Sequence, residues 1–149
     1  MPGVKFSGRL NDAELAGVLP PEERLAHGPV AVIECVQEIP CNPCEKACPF
    51  GAITVGEDIT ARPVLDRAKC RGCGLCISRC PGLAIFIVDA SGIEATIMLP
   101  YEYLPLPAAG DAVDALDRGG KPVGKGRVVK VNTAASLEGT AVVTIAVPR

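Results

Sequence analysis

The sequence predicts an α+β chain in which a duplicated strand–loop–strand unit with a pseudo-two-fold repeat is followed by a small all-β barrel, SH3-like or OB-like. Three observations predict it. Seven of the eight cysteines lie between Cys41 and Cys80, in two runs that repeat each other thirty-two positions apart. Each run is bracketed by short stretches of branched apolar residues, which suit strands. Beyond Asp89 cysteine disappears, and short apolar stretches alternate with glycine turns, the pattern of a small closed sheet. The 149 residues thus divide into N-terminal docking helices over 1–29, the duplicated unit over 30–89, a strand and Pro-rich connector over 90–109, and the barrel over 110–149.

Taken in order, Asn11 to Val18 reads as a short helix, with Asn11 as its N-cap and Glu14 at the return position of a capping box. Pro21 to Ala26 reads as a second, since Pro suits a helix start and Gly28 suits its end. Both are too short to stand alone in water, so they are expected to dock on the duplicated unit or on another chain. His27, the only histidine, falls at this helix end, where capping is expected rather than metal ligation. Val30 to Glu34 reads as the strand leading into the first cysteine run, and Val64 to Asp66 is its mate before the second. Ala52 to Val55 and Ala84 to Val88 are the return strands. Ser91-Gly92 opens a further strand over Ile93 to Leu99, and Pro100 to Pro107 connects onward, carrying Tyr101 and Tyr103. The stretches 112–116, 122–123, 126–131 and 140–147 supply the barrel. No cysteine lies there, so the barrel is expected to be separable from the cysteine sites.

The second cysteine run is Cys70-x2-Cys73-x2-Cys76-x3-Cys80-Pro81, and the first is Cys41-x2-Cys44-x3-Cys48-Pro49. Superposed, Cys41 falls on Cys73, Cys44 on Cys76 and Cys48 on Cys80, while Cys70 falls on Glu38. Three thiolates at three-residue intervals wrap the backbone around one iron–sulfur cluster and turn successive amides inward. Zinc sites pair two separated knuckles instead. A disulfide framework needs an oxidising compartment, and Met1 to Leu10 contains no apolar signal core. The expected location is cytoplasmic, and the expected ligand is iron.

From Val30 to Asp89 the chain resembles the bacterial two-cluster ferredoxins. That resemblance implies two 4Fe-4S clusters. Cys70, Cys73 and Cys76 would share one with Cys48, while Cys80 crosses back to join Cys41 and Cys44 on the other. The crossing ties the halves together, and in a core this small ligation is expected to supply folding energy. Without metal, residues 30–89 are expected to be largely disordered. The second cluster set lacks a fourth ligand at the regular position, and three readings complete it. Cys35 can reach inward through a loop over Val36 to Pro40. Glu38 occupies the position where the family has cysteine. Otherwise the site is open or holds a 3Fe-4S cluster. Thiolate is the softer match to iron, and five residues suffice to close a loop, so Cys35 is the favoured ligand.

A closer resemblance rests on the stretch Glu34-Cys35-Val36-Gln37-Glu38-Ile39-Pro40-Cys41-Asn42-Pro43-Cys44-Glu45, followed by Ala47 to Ile53. It is similar to the small ferredoxin-like subunits that accompany flavin-dependent amino- and imino-acid dehydrogenases of the proline, hydroxyproline, opine and hydrogen-cyanide-forming type. This implies an electron-transfer subunit that takes electrons from flavin in a multi-subunit complex, with flavoprotein subunits as its partners. The residues agree that the chain has no catalytic site of its own. There is no Ser-His or Cys-His pair with a third orienting group, and no Gly-rich phosphate loop. No run approaches the roughly eighteen apolar residues of a membrane span. A net charge of -2, 3% aromatics and no Trp argue against nucleic acid as the main partner. Lys121, Lys125, Arg127 and Lys130 then read as solvated strand faces or as a docking surface for a partner subunit. Two rivals stand beside this reading. One is a free ferredoxin serving several redox partners, which needs neither the helices nor the barrel. The other is a non-redox assembly module whose clusters are only structural.

Overall fold

The duplication is visible in the backbone pairing. In the computed structural model, which describes residues 3–137 and 139–149, β1 (Val30–Ile33) pairs antiparallel with β4 (Ile85–Asp89). Likewise β2 (Ile53–Thr54) pairs antiparallel with β3 (Val64–Leu65). Ile33 faces Ile85 in the first pair, and Leu65 faces Ile53 in the second. These are equivalent positions of the repeat. One residue further, Glu34 N–H donates to the Ala84 carbonyl at 2.8 Å and Asp66 N–H to the Ala52 carbonyl at 2.7 Å. The two halves therefore close on each other in the same way, as the repeat requires.

The two pairs share one core. Ala31, Ile33, Ile53, Val55, Ile77, Ile85 and Ile87 are buried together with Cys44 and Cys76. Each fully buried branched side chain contributes about 1.5–3 kcal/mol relative to exposure. β-Branched residues fill these strands because they pack well on a pleated, buried surface.

The C-terminal expectation is corrected by the sheet topology. β5 (Glu94–Tyr101), β6 (Ala112–Leu116), β7 (Pro122–Asn132) and β8 (Ala141–Pro148) do not close into an SH3-like or OB-like barrel. They extend the β1–β4 pair into one open six-stranded sheet of order β1-β4-β5-β8-β7-β6. The reason lies in the partner of β8. Its eight residues register against all of β5, from Glu94 opposite Pro148 to Tyr101 opposite Ala141, and its other edge takes β7. Closure would need β6 to find a second partner, and its free edge finds none among the described strands. The separate stretches expected at 122–123 and 126–131 are one eleven-residue strand, β7. The segment also packs against the cysteines, since Leu137 and Val142 belong to the same buried cluster as Cys44 and Cys76.

At the other end the short helices dock on the duplicated unit. Helix α1 spans Val4–Ser7, α2 Asp12–Val18 and α3 Glu22–Ala26. The capping box at Asn11 forms: its side chain accepts from Glu14 N–H, and the Glu14 carboxylate accepts from Asn11 N–H, both at 2.9 Å. His27 closes α3, its N–H donating to the Arg24 carbonyl and its Nδ1 lying 2.6 Å from the Glu23 carbonyl. The docking is made by arginines. Arg24 on α3 donates to the carbonyls of Gly28, Pro29, Arg67 and Cys70 at 3.1–3.2 Å. Arg67 donates back to those of Val18 and Leu19. Helix α3 is thereby fastened to the loop that opens the second cysteine run.

Candidate metal centres

The eight cysteines line two cavities, four to each. Cys35, Cys41, Cys44 and Cys80 line the first, a cavity of about 460 Å³. Cys48, Cys70, Cys73 and Cys76 line the second, a narrower cleft between the two halves of the repeat. Each quartet takes one cysteine from the opposite half, Cys80 in the first and Cys48 in the second, which is the grouping the ferredoxin resemblance implies. Cys35 joins the first quartet, whereas Glu38 is exposed and is not among the residues lining that cavity.

Local backbone explains how the second loop is shaped. Gly72 and Gly74 have φ of +64° and +78°, a region that side chains disfavour. Gly72 also lies against Pro29, where an added Cβ would come within 2.4 Å of the proline Cβ. Two left-handed turns in three residues are what bring Cys70, Cys73 and Cys76 to one side. The first loop has Pro40 and Asn42 at the equivalent positions. It replaces the second half's turn with α4 (Pro43–Ala47), one helical turn with proline at its start. Cys44 sits inside that turn and is buried.

After each run the halves converge again. Ala52 N–H points at Cys48 Sγ and Ala84 N–H at Cys80 Sγ, both at 3.4 Å. Ala31 N–H on β1 approaches Cys70 Sγ at the same distance. Amides aimed at sulfur stabilise thiolate charge, and in iron–sulfur proteins hydrogen bonds to sulfur tune the reduction potential. The equivalent positions Gly51 and Leu83 both adopt positive φ, at 65° and 53°. Leu83 does so with a side chain, in a conformation costing about 1–2 kcal/mol, and that side chain lines the first cavity.

Electrostatics divides the cysteines in the same way. Burial, then the neighbouring Cys80 and Cys41, push the Cys35 thiol up from its ordinary value. Burial and then Cys80 do the same at Cys44. Cys76 is pushed up to about 12, by burial first and then by Cys70 and Cys73. Crowded, buried thiolates repel one another and resist ionisation unless a cationic core neutralises them, and a metal that binds them deprotonates them outright. Two all-sulfur quartets of this kind fit 4Fe-4S clusters. Among the described residues no three His, Cys, Asp or Glu side chains converge on a point as a single metal ion would require. His27 lines neither cavity.

The tyrosines and the basic residues singled out on the C-terminal strands line neither cysteine cavity. Tyr101 and Tyr103 stack edge to face, 5.7 Å between centroids, beside a third cavity that no cysteine lines. Of the basic residues singled out on the C-terminal strands, Lys125 pairs with Asp114 and Arg127 with Glu94. What the sequence did not single out is Arg118, at the tip of the β6–β7 hairpin, which donates to the Glu34 carboxylate and lines the first cavity. No sequence signal marks it, because the contact spans eighty-four residues.

Residues 34–84 match the 4Fe-4S dicluster domain family. This region is a ferredoxin-type electron-transfer module that binds two 4Fe-4S clusters and has no catalytic site of its own. Several proteins are similar to part of the chain. An uncharacterized ferredoxin of Methanocaldococcus jannaschii is 34% identical over 70 residues, covering 47% of this chain and 44% of the relative. A component of the ion-translocating oxidoreductase complex of Methanosarcina acetivorans is 47% identical over 47 residues, 32% of this chain and 17% of the relative. The polyferredoxin-like subunit of the aliphatic sulfonate oxidoreductase of Pyrococcus furiosus is 46% identical over 48 residues, 32% of this chain and 27% of the relative. The chain spans less than half the length of each of these proteins. Among the described residues no helix is long and apolar enough to cross a membrane.

Proposed function

We propose that the chain is the iron–sulfur electron-transfer subunit of a multi-subunit dehydrogenase, carrying electrons from flavin in a complex that oxidises an amino or imino acid. The observation that carries the electron-transfer part is the sorting of all eight cysteines into two crossed quartets inside one dicluster module. In this reading Cys48, Cys70, Cys73 and Cys76 ligate one cluster, and Cys35, Cys41, Cys44 and Cys80 the other. Each cluster passes one electron at a time, so two in series can drain a two-electron flavin. The chain's own residues supply the rest. Ala31, Ala52 and Ala84 direct amides at sulfur, and Ile53, Ile77, Ile85 and Ile87 keep water from the core.

Membership of a complex is supported by the parts outside the repeat, since a mobile carrier needs neither the N-terminal helices nor β5–β8. Components of oxidoreductase complexes among the similar proteins point the same way. Partner docking is assigned to the surface around Cys73, the one cysteine that is exposed, beside the half-exposed Phe50 and Leu75 of the second cleft. Flavin as donor rests on the stretch from Glu34 to Ile53. The test is purification of the native complex, followed by flavin and iron analysis and anaerobic reduction with candidate amino acids such as proline. Co-purifying flavin whose substrate reduces this chain's clusters is the expected result. A chain that purifies alone and is reduced by several unrelated donors is a free ferredoxin. Clusters that no low-potential donor reduces would leave the structural module as the account.

A further inference from the structure

Each cysteine loop is entered through a carboxylate, and the two are held differently. In the second half Asp66 accepts from the amides of Ala68 and Lys69, at 3.0 and 3.4 Å, and its carbonyl accepts from Cys70 N–H at 3.1 Å. The short acid thus folds the backbone into the turn that delivers Cys70, using only local bonds. Its repeat equivalent is Glu34, one methylene longer and directly before Cys35. Its carboxylate is held from outside the repeat by Arg118, whose Nε donates to Glu34 Oε1 at 2.8 Å and whose Nη2 donates to the same oxygen. The carboxylate is the sheltered partner: the Glu34 side chain is 11% exposed, whereas that of Arg118 is 40% exposed. Both donors end on one carboxylate oxygen, and a charge-assisted contact to a partly buried carboxylate is screened less than a pair between two exposed side chains.

The tip that carries Arg118 is itself fixed. Asp117 accepts from the amides of Gly119 and Lys121, at 2.8 and 3.0 Å, which shapes the turn. Arg9 lies against Gly119 and beside Asp117, whose carboxyl those amides and the nearby Arg9 hold below its usual range. Both Arg9 and Arg118 line the first cavity. Two segments from outside the repeat therefore meet over the first quartet. The second cleft is lined by neither.

We propose that Arg118 is a positioning residue for the first metal site: through Glu34 it fixes the start of the 35–41 loop, holds Cys35 toward Cys41, Cys44 and Cys80, and closes that cavity against water. Asp66 does the equivalent work locally for Cys70. The proposal rests on the assignment of Cys35 as a ligand, so the experiment separates the two.

The full chain is loaded anaerobically with iron and sulfide, and iron retention against a chelator is followed with low-temperature electron paramagnetic resonance. In Arg118→Gln the half of the iron at the first site should be held roughly ten- to a hundredfold less tightly, the usual consequence of losing a supporting partner. A three-iron signal should appear on oxidation, while the other half of the iron stays. Arg118→Lys, which keeps the charge but not the fork, should fall between. Retention equal to the parent chain, or equal loss from both sites, overturns the clamp. Cys35→Ala runs in parallel: if it retains the first-site iron, the ligand assignment fails whatever Arg118 does. If it loses that iron while Arg118→Gln does not, the assignment stands and the clamp falls. Should Arg118→Gln not fold, the exchange Glu34→Arg with Arg118→Glu decides, since restored retention supports the pairing and continued loss overturns it.

Discussion

The two halves of the repeat reach the same end by different means. The second half shapes its loop from within, with Gly72 and Gly74 in left-handed turns and Asp66 bonded to its own following amides. The first half has no glycine at those positions and no cysteine where Cys70 should fall. It reaches back to Cys35, inserts a helical turn at Pro43–Ala47, and takes a partner from the far end of the sheet at Arg118. Where the second half relies on local bonds, the first has a contact from outside the repeat, and Arg118 joins the β6–β7 hairpin to the edge of the cysteine core.

The comparison breaks most visibly at the irregular ligand. Cys35→Ala is expected to remove half of the iron or convert that site to three irons, while Glu38→Ala, at an exposed position outside the cavity lining, leaves the iron count unchanged. Iron analysis of both variants decides, and the opposite pattern would assign the ligand to Glu38.

Next in size is the response to pH. Burial raises the thiols of Cys35, Cys44 and Cys76, the last to about 12, so ligation must expel protons in both halves. A group whose pKa is raised keeps its proton as pH climbs from 7 to 9, so metal loading should strengthen with pH across that window. Each proton released adds roughly tenfold in apparent affinity per pH unit. Chelator competition at pH 7, 8 and 9 measures it, and a flat profile would show that the thiols ionise before metal arrives.

Glycine and packing variants sharpen the contrast. Gly72→Ala should cost about 2–5 kcal/mol, combining the left-handed penalty with overpacking against Pro29. Gly82→Ala, whose added methyl meets nothing within 4 Å, serves as the neutral control in thermal unfolding. Leu137→Ala should cost about 2 kcal/mol and loosen iron in both sites, because Leu137 packs in the same cluster as Cys44 and Cys76. Unchanged stability there would restore the separable C-terminal unit that the sequence suggested.

Much of the cysteine chemistry was legible because it is written in short spacings. The two runs and the nearness of Cys35 to Cys41 are positions within a few residues of one another, and so are the capping box at Asn11 and the cap at His27, whereas the crossed quartets came from the ferredoxin resemblance. The open six-stranded sheet that stands in place of the expected barrel was not legible, for the converse reason. Strands β5 to β8 were visible one by one, yet their identity as branched stretches does not state which edge each will pair with. Of the residues 94–101 that recruit β8, the last two read as connector, because a proline at position 100 ordinarily ends a strand. Arg24 and Arg118 escaped for the same cause, since an arginine's carbonyl or carboxylate partner many residues away leaves no local mark.

The smallest expected effect is at Leu83, where the second half keeps a side chain and the first half has Gly51. Leu83→Gly should shift stability by no more than about 1 kcal/mol, relief of the left-handed strain being offset by a freer unfolded chain and lost packing. A loss well beyond that in thermal unfolding would mean that the leucine over the first cavity outweighs its strain.

The position of β8 between β5 and β7 also sets an order of events during synthesis. The sheet that backs the cysteine core cannot be completed until Pro148 has left the ribosome, long after Cys80 has emerged. At about 5–20 residues per second, the thiols wait roughly 3–14 seconds in an unfinished fold. During that interval the eight sulfurs lack the completed sheet behind them and are open to oxygen and to stray metal, so the arrangement favours surroundings that keep them reduced until the last strand is in place.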